Sequence, residues 1–228
     1  MTSTSGVPFS TLPSQKLRSI SAGQVFRDDL GLTRIRDRLS WYPYDIWLYI
    51  LASCWSRIGE EEHLMGRAGL VGDEVGSFII ASRLVRDVMR LAFLMERVYP
   101  PYSKWFGRAF SKLDCAPKLQ SVLRDILNFP SWEERDGSLA LAYRRLAEIH
   151  NSLGITSSMS CETSPFWGRP FTVIHGDRFT QAFQDAIRDQ TVRSLAERRL
   201  IGNIDIISDN TTLLEDDSRR RALLALYE

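Results

Sequence analysis

The sequence predicts an all-α fold, an antiparallel helical bundle with irregular loops and little or no strand. Two long segments, 45–63 and 73–98, carry apolar residues at the three- and four-residue spacing of a helix face. Proline or glycine ends several such patterns, and the two-residue alternation typical of strands is almost absent. Because each such helix has an apolar face to bury, we expect the helices to pack around one core.

The first elements are short. Residues 1–14 are rich in Ser, Thr and Pro, so we expect a flexible N-terminal lead followed by a single helical domain over 15–228. Short helices are predicted over 15–28 and 32–39, with a turn at 28–31 between them.

Start and stop signals define the later elements. Tyr99-Pro100-Pro101 ends the 73–98 helix, since proline lacks the N–H donor. Ser131 and Glu134 have capping-box spacing and Gly154 suits a helix end, which predicts a helix from Ser131 to about Leu153. The other predicted elements are helices over 104–113, 117–128, 177–187 and 191–200, a tail helix over 216–227, a loop over 155–167 and an extended piece over 171–174.

Composition narrows the class of protein. A net charge of +1 argues against a nucleic-acid partner. The three cysteines, Cys54, Cys115 and Cys161, form no CxxC pair, which favours a reduced, cytoplasmic compartment over a disulfide framework. No apolar run reaches the roughly 18 residues that a membrane span needs, and we expect no membrane contact.

The densest group of reactive side chains lies between the two long helices, from Arg57 to Ser77. Glu60 and His63 share a helix face, with a Glu-x-x-His spacing that occurs in helical di-metal sites. No second such set is apparent, so we favour a solvated helix end paired with Arg57 and Arg67 and predict no metal. We also expect Glu61, Arg67 and Asp73 to meet, because a loop of about nine residues makes the two helices antiparallel neighbours.

Arginines follow on the second long helix. Arg83, Asp87 and Arg90 line one face and Arg86 lies at its edge. Two interpretations stay open: a wall that binds phosphate or carboxylate through forked donors, and an interhelical salt-bridge network with the acids of 60–62 and Glu96.

Two later groups have both a functional and a structural interpretation. The spacing of Arg145 and His150 is similar to the RNA-cleaving motif of HEPN helical bundles. We favour His150 and Asn151 as residues that close the helix and hydrogen-bond a loop.

Lys104 and Trp105 belong to an aromatic group over 99–106. This group either stacks on a planar ligand or forms a hydrophobic corner. Asp177, farther along the chain, is interpreted as a helix N-cap.

A set of motifs from about Gln15 onward carries a family resemblance. They are Tyr42-Pro43-Tyr44-Asp45-Ile46-Trp47, Arg57-Ile58-Gly59-Glu60-Glu61, Gly66-Arg67, Gly72-Asp73-Glu74, Arg83-Leu84-Val85-Arg86, Tyr102-Ser103-Lys104-Trp105, His150-Asn151-Ser152-Leu153-Gly154 and Arg169-Pro170-Phe171. Together they make the sequence similar to an uncharacterised helical domain, domain of unknown function 4037, that usually follows a nucleotidyltransferase-type palm.

The resemblance implies that nucleotidyl transfer belongs to the palm, with the helical domain walling one side of the substrate cleft. A palm presents Gly-Ser and then an Asp-x-Asp pair on a strand, because two carboxylates must hold the metal ions. Here Gly76-Ser77 is followed by Asp87 inside a helical pattern, with no second Asp two residues on. We therefore expect the palm to be absent from this sequence and no nucleotidyl transfer by this chain alone.

Three functions fit these observations: a substrate-binding or accessory helical module, a stand-alone small-molecule tailoring enzyme of a biosynthetic pathway using an interhelical cleft, and a HEPN-like RNase. The expected partners are a small-molecule ligand or a separate palm-domain protein; we assign no catalytic residue and no cofactor. Candidate residues that converge on one pocket would favour the enzyme, and residues paired among themselves would favour the module. The ligand-binding candidates are Glu61, Arg67, Asp73, Glu74, Arg83, Arg86, Lys104, Trp105, His150 and Asn151.

Overall fold

The computed structural model describes residues 7–216, 218 and 220–227, and its architecture is all-α, as predicted. The only sheet in that part of the chain is an antiparallel pair in which Ser164 faces Val173 and Pro165 faces Thr172. In chain order the elements are Val7–Ser10 (α1), Ser14–Ser21 (α2), Leu32–Arg38 (α3), Tyr44–Glu61 (α4), Leu64–Leu70 (α5), Glu74–Met95 (α6), a 3₁₀ turn at Ser103–Trp105, Phe106–Phe110 (α7), Ala116–Asn128 (α8), Trp132–Ser152 (α9), Ser164–Pro165 (β1), Thr172–Val173 (β2), Gly176–Ala186 (α10), Gln190–Arg198 (α11), Ile204–Ile207 (α12), Thr211–Glu215 (α13), Arg220–Leu224 (α14) and a 3₁₀ turn at Ala225–Tyr227.

Helix α4 forms the centre of the core. It packs against α10 on one side and α6 on another, while α9 covers α6 and α8. Trp47 and Phe93 are buried, and the indole Nε1 of Trp47 donates a 2.8 Å hydrogen bond to the carbonyl of Leu94. The burial follows from the helical spacing of apolar residues, which on α4 leaves almost no polar face between Ile46 and Trp55.

Glycines set how closely the central helices approach. A Cβ added at Gly176 would lie 2.7 Å from both the Gly59 nitrogen and the Trp55 carbonyl oxygen, so the backbones of α4 and α10 touch there. In α5, added Cβ atoms at Gly66 and Gly69 would meet Phe171 at 2.6 Å and Trp132 at 2.1 Å. The glycines of this segment therefore make room for other parts of the protein.

The segment before residue 15 contains buried side chains, although its composition predicted a flexible lead. Ser10 and Ser14 are buried, and Ser14 donates from its backbone N–H and its hydroxyl to Asp205 of α12. Packed side chains thus begin before residue 15, where we placed the end of the flexible lead; residues 1–6 lie outside the described residues.

Several predicted boundaries change. The helix expected over 15–28 ends at Ser21, and the loop expected between the long helices contains α5. The 104–113 segment divides into a 3₁₀ turn and the five-residue α7. Helices α12 and α13 were not predicted, because four or five residues are too few to show a helical period. Ser131 caps α9 as predicted, since its hydroxyl accepts from the Glu134 N–H.

The described residues contain neither a disulfide nor a membrane-spanning helix. Cys54, Cys115 and Cys161 are all free thiols. Among the described residues, no helix combines the length and apolar character that crossing a bilayer requires.

Candidate functional site

The arginines of α6 enter an ion-pair network with α4. The Nε of Arg57 lies 2.8 Å from an oxygen of Asp87, which is buried, and Arg83 binds Glu61 across the helix pair. Arg57 also approaches Glu61, at 3.7 Å. Of the two interpretations of this face, the contacts within the described chain match the interhelical network.

The network has a member that sequence reasoning missed. Asp209, in the stretch between α12 and α13, pairs with Arg86 and lies 3.0 Å from a guanidinium nitrogen of Arg90. Glu96, which we expected here, instead accepts from the backbone N–H groups of Asp114 and Cys115. An acid more than 100 residues away in sequence leaves no local signal, so spacing could not have found it.

The predicted meeting of Glu61, Arg67 and Asp73 does not occur. Asp73 caps α6 by accepting from the Gly76 N–H, and Glu74 pairs with the buried Arg135 of α9. Arg67 is exposed, and no ion pair joins it to any carboxylate in the described residues. The inserted helix α5 changes the geometry that a plain nine-residue loop would have given.

Glu62 accepts two backbone hydrogen bonds that the sequence did not predict. It is buried at the end of α4, and its two carboxylate oxygens accept from the backbone N–H groups of Ile174, at 2.5 Å, and Gly176, at 3.1 Å. Burial raises the pKa of Glu62 to about 7, although those donors favour the charged form. We call Gly59, Glu62, Ile174 and Gly176 the inner junction. The α10 N-cap residue is His175, so the prediction that Asp177 has this role was wrong.

His150 and Asn151 close α9 and hold the loop that follows, as favoured. The buried His150 ring bonds the Thr156 hydroxyl at 2.8 Å through Nε2, and desolvation lowers its pKa to about 4. Asn151 accepts from the Met159 N–H and donates to its carbonyl. These contacts give both residues a structural role.

The aromatic group after the prolines lies elsewhere on the surface. Lys104 and Trp105 are both exposed, with the Lys104 ammonium 5.1 Å from the centre of the Trp105 ring. Tyr99 is instead buried and packs on Trp41 and Tyr42. Lys104 and Trp105 therefore stand apart from the ion-pair network.

The Glu-rich end of α4 lacks the geometry of a metal centre. No group of three or more His, Cys, Asp and Glu side chains in the described residues is arranged to hold a metal ion. Glu60 accepts from the Ser56 hydroxyl at 3.2 Å, and His63 stacks on Phe166 with ring centres 4.6 Å apart.

A run of apolar side chains at the α5–α6 turn points outward. Val71 is 81% exposed, Val75 73% and Ile79 55%, and these values exceed what a packed helix face shows. Val75 and Ile79 are four residues apart on α6 and share one face. We call this run the outer stripe; its members are Leu70, Val71, Val75, Phe78 and Ile79.

An open cleft of about 620 Å³ lies between the C-terminal half of α4 and the segment 198–207. Of the predicted site residues, only Glu61 lines it. Its wall and floor residues are Ser53, Arg57, Glu60, Glu61, Arg198, Arg199, Leu200, Ile201, Ile206 and Ile207.

The fold and these surfaces define an all-α protein whose candidate charges are largely tied into the structure. Residues 9–106 match the family described as Domain of unknown function (DUF4037), which is the family that the sequence motifs resemble. The match includes the motifs up to Trp105, whereas those at 150–154 and 169–171 lie beyond it. No curated protein and no solved structure matches the chain.

Proposed function

We propose that this chain is a helical substrate-binding or accessory module that acts with a nucleotidyltransferase-type palm and transfers no nucleotide itself. The palm belongs to a separate protein or to another part of a longer one. In this arrangement the α4–α6 face forms one wall of the substrate cleft, and the palm supplies the metal-binding carboxylates.

The observation that carries this proposal is the pairing of the candidate residues. Glu61 binds Arg83, Glu74 binds Arg135 and Arg86 binds Asp209, so these charges bind one another rather than one cavity. A catalytic centre needs acids, bases or nucleophiles aimed at a shared point in space. The buried His150, with its lowered pKa, likewise argues against the RNase alternative.

The outer stripe supplies a surface for the palm. Contiguous exposed apolar side chains on a soluble domain typically mark an interaction surface. Arg67 lies on α5 three residues before Leu70, exposed and without an ion pair in the described residues, so it can fork to a carboxylate of the partner. Farther along α6, Arg83 and Arg86 pair with Glu61 and Asp209, so in this proposal the ion-pair network lies on the same helix as the docking surface.

The catalytic part of the proposal is tested by a transfer assay. The purified chain is incubated with labelled nucleoside triphosphates, Mg²⁺ and a panel of acceptors, and we expect no transfer. Robust metal-dependent transfer by the chain alone would overturn the proposal.

The docking part is tested with a palm taken from a longer protein of the same family. We expect the chain to bind that palm, and the pair Val75→Glu and Ile79→Glu to weaken binding by at least about tenfold, since burying each such side chain contributes about 1.5–3 kcal/mol. Leu127→Glu, at an apolar position on α8 that is 39% exposed and lies outside the stripe, is the control and should bind normally. Equal binding by all variants would remove the outer stripe from the proposal.

A further inference from the structure

The cleft between α4 and the segment 198–207 combines acidic, basic and apolar surfaces. We propose that it binds a zwitterionic ligand of dipeptide size, with the ligand's ammonium group at Glu60 and Glu61 and its carboxylate at Arg199. The site shares no residue with the outer stripe, so this inference goes beyond the module's proposed work with a palm and does not depend on it.

One wall of the cleft has an unused acceptor. Arg83 and Arg57 both approach the Oε1 of Glu61, whereas its Oε2 is buried and accepts no hydrogen bond from the described chain. A buried carboxylate oxygen without a donor is costly, and native proteins leave few of them. Arg57 and Arg83 offset the charge of Glu61, whereas Glu60, one residue earlier, is exposed and accepts only from the Ser56 hydroxyl within the described residues, so its carboxylate favours a cation over a neutral donor.

The opposite wall offers an unused donor. Arg199 follows directly after α11, and the Tyr49 hydroxyl donates to its carbonyl at 3.1 Å, which anchors the backbone there. Its guanidinium group is exposed and bonds no acceptor within the described residues. A planar guanidinium fork matches both oxygens of a carboxylate.

The floor is apolar and the walls are tied together. Leu200, Ile201, Ile206 and Ile207 supply aliphatic surface for the ligand's side chains. Arg57 binds Asp87 of α6 and also donates to the Ile206 carbonyl at 3.4 Å, linking α4 to α12. The cleft is thus held before a ligand arrives, and its volume falls within the range of about 300–1,000 Å³ that small-molecule sites occupy.

The test compares three peptides on the unaltered full chain. The dipeptide Leu-Phe, its N-acetyl form and its C-terminal amide are titrated by calorimetry and by NMR. We expect Leu-Phe to bind and each blocked form to bind at least about tenfold more weakly, because each loses one charge-assisted pair. No binding at millimolar peptide, or equal binding of all three, would overturn the proposal.

Two variants assign each end of the ligand. Glu61→Gln should remove the discrimination between Leu-Phe and its N-acetyl form, while Arg199→Gln should remove the discrimination against the amide. Glu133→Gln and Arg124→Gln, at exposed positions outside the cleft, are the matched controls and should behave like the unaltered chain. If Glu61→Gln fails to fold, Glu60→Gln and the three-peptide comparison on the unaltered chain still test whether the acidic wall binds the ligand's ammonium group. A failure here would leave the transfer and palm-binding assays unaffected, so the two proposals fail separately.

Discussion

The inner junction and the outer stripe both draw on residues 59–79, but they differ in what covers them. At the inner junction, α10 lies against α4 so closely that the glycine backbones touch, and Glu62 binds two N–H groups from the segment before α10. At the outer stripe, large aliphatic side chains remain exposed on α5 and α6. The same mixture of glycine, charge and apolar residues thus becomes core in one place and surface in the other.

The difference comes from a distant part of the chain. Residues 171–179 bring Phe171 over Gly66 and Phe179 onto Trp55, whose ring lies 4.3 Å away. In the described structure no comparable segment covers Val71 and Val75. A local run of glycine, charged and apolar residues therefore indicates a region suited to close contact. Segments distant in sequence decide whether that region is buried in the core or stays exposed on the surface.

The largest expected effect is a steric one at the inner junction. Gly176→Ala would place a Cβ 2.7 Å from backbone atoms of α4, which cannot move aside as a flexible side chain does. We expect the free energy of unfolding, measured by denaturant titration, to fall by about 3 kcal/mol or more. Gly137→Ala on α9, where an added Cβ meets nothing within 4 Å, should be neutral or gain up to about 1 kcal/mol. Equal effects of the two substitutions would mean that α4 and α10 are not in backbone contact.

Charge gives a second inside–outside comparison. Asp87 is buried beside Arg57, so Asp87→Ala should lower the free energy of unfolding by about 1.5–3 kcal/mol, because it removes a charge-assisted hydrogen bond and leaves Arg57 only its longer contact with Glu61 and its bond to the Ile206 carbonyl. Asp209 is largely exposed, and Asp209→Ala should cost less than about 1 kcal/mol despite its two arginine partners. The two values come from urea titrations at one pH, and a larger loss for Asp209 would reverse our order of burial.

The pH dependence of stability tests how Glu62 is held. Its pKa rises from an ordinary 4.5 to about 7 in the folded protein, which therefore binds the proton more tightly than the unfolded chain does. This contribution to stability is full below about pH 4.5 and is lost as the pH rises through about 7, at up to about 1.4 kcal/mol per pH unit. Glu62→Gln cannot ionise, so the stability of the natural chain relative to this variant should fall across that window.

His150 makes the opposite contribution and serves as the internal control for that experiment. Its pKa falls from an ordinary 6.5 to about 4, so stability is lost as the pH drops through that range. In the Glu62→Gln variant the free energy of unfolding should still fall as the pH drops, because His150 is unchanged. Unfolding curves between pH 4 and 7 would show this fall. A difference between the two proteins that stays constant with pH would mean that Glu62 has an ordinary pKa in the folded state.

The smallest expected effect lies at the outer stripe. Arg67→Ala and Val71→Ser should each change the free energy of unfolding by no more than about 0.5 kcal/mol, because neither side chain is covered. Thermal and urea unfolding would measure this, with palm binding recorded on the same samples. A loss above about 1 kcal/mol would show that the stripe stabilises the domain itself.

The helices that the sequence predicted best are those with long apolar periods. Helices α4, α6 and α9 appear within a few residues of their predicted bounds, since 18 or more residues show the period clearly and Ser131 and the prolines supply boundaries. The site was harder to predict. Asp209, Ile174 and Gly176 contact residues more than 100 positions away, and no local pattern encodes such pairs.

Contact between α4 and α10 also has a consequence for folding and for the design of shorter fragments. Trp55 and Phe179 stack although 124 positions separate them, so this part of the core forms only after a long chain loop closes, which slows folding. The family match ends at Phe106, well before α10 begins. A polypeptide cut at that boundary would leave one side of α4 uncovered, including Trp55. We expect such a fragment to aggregate, because the boundary of the family match is not the boundary of a unit that can fold independently.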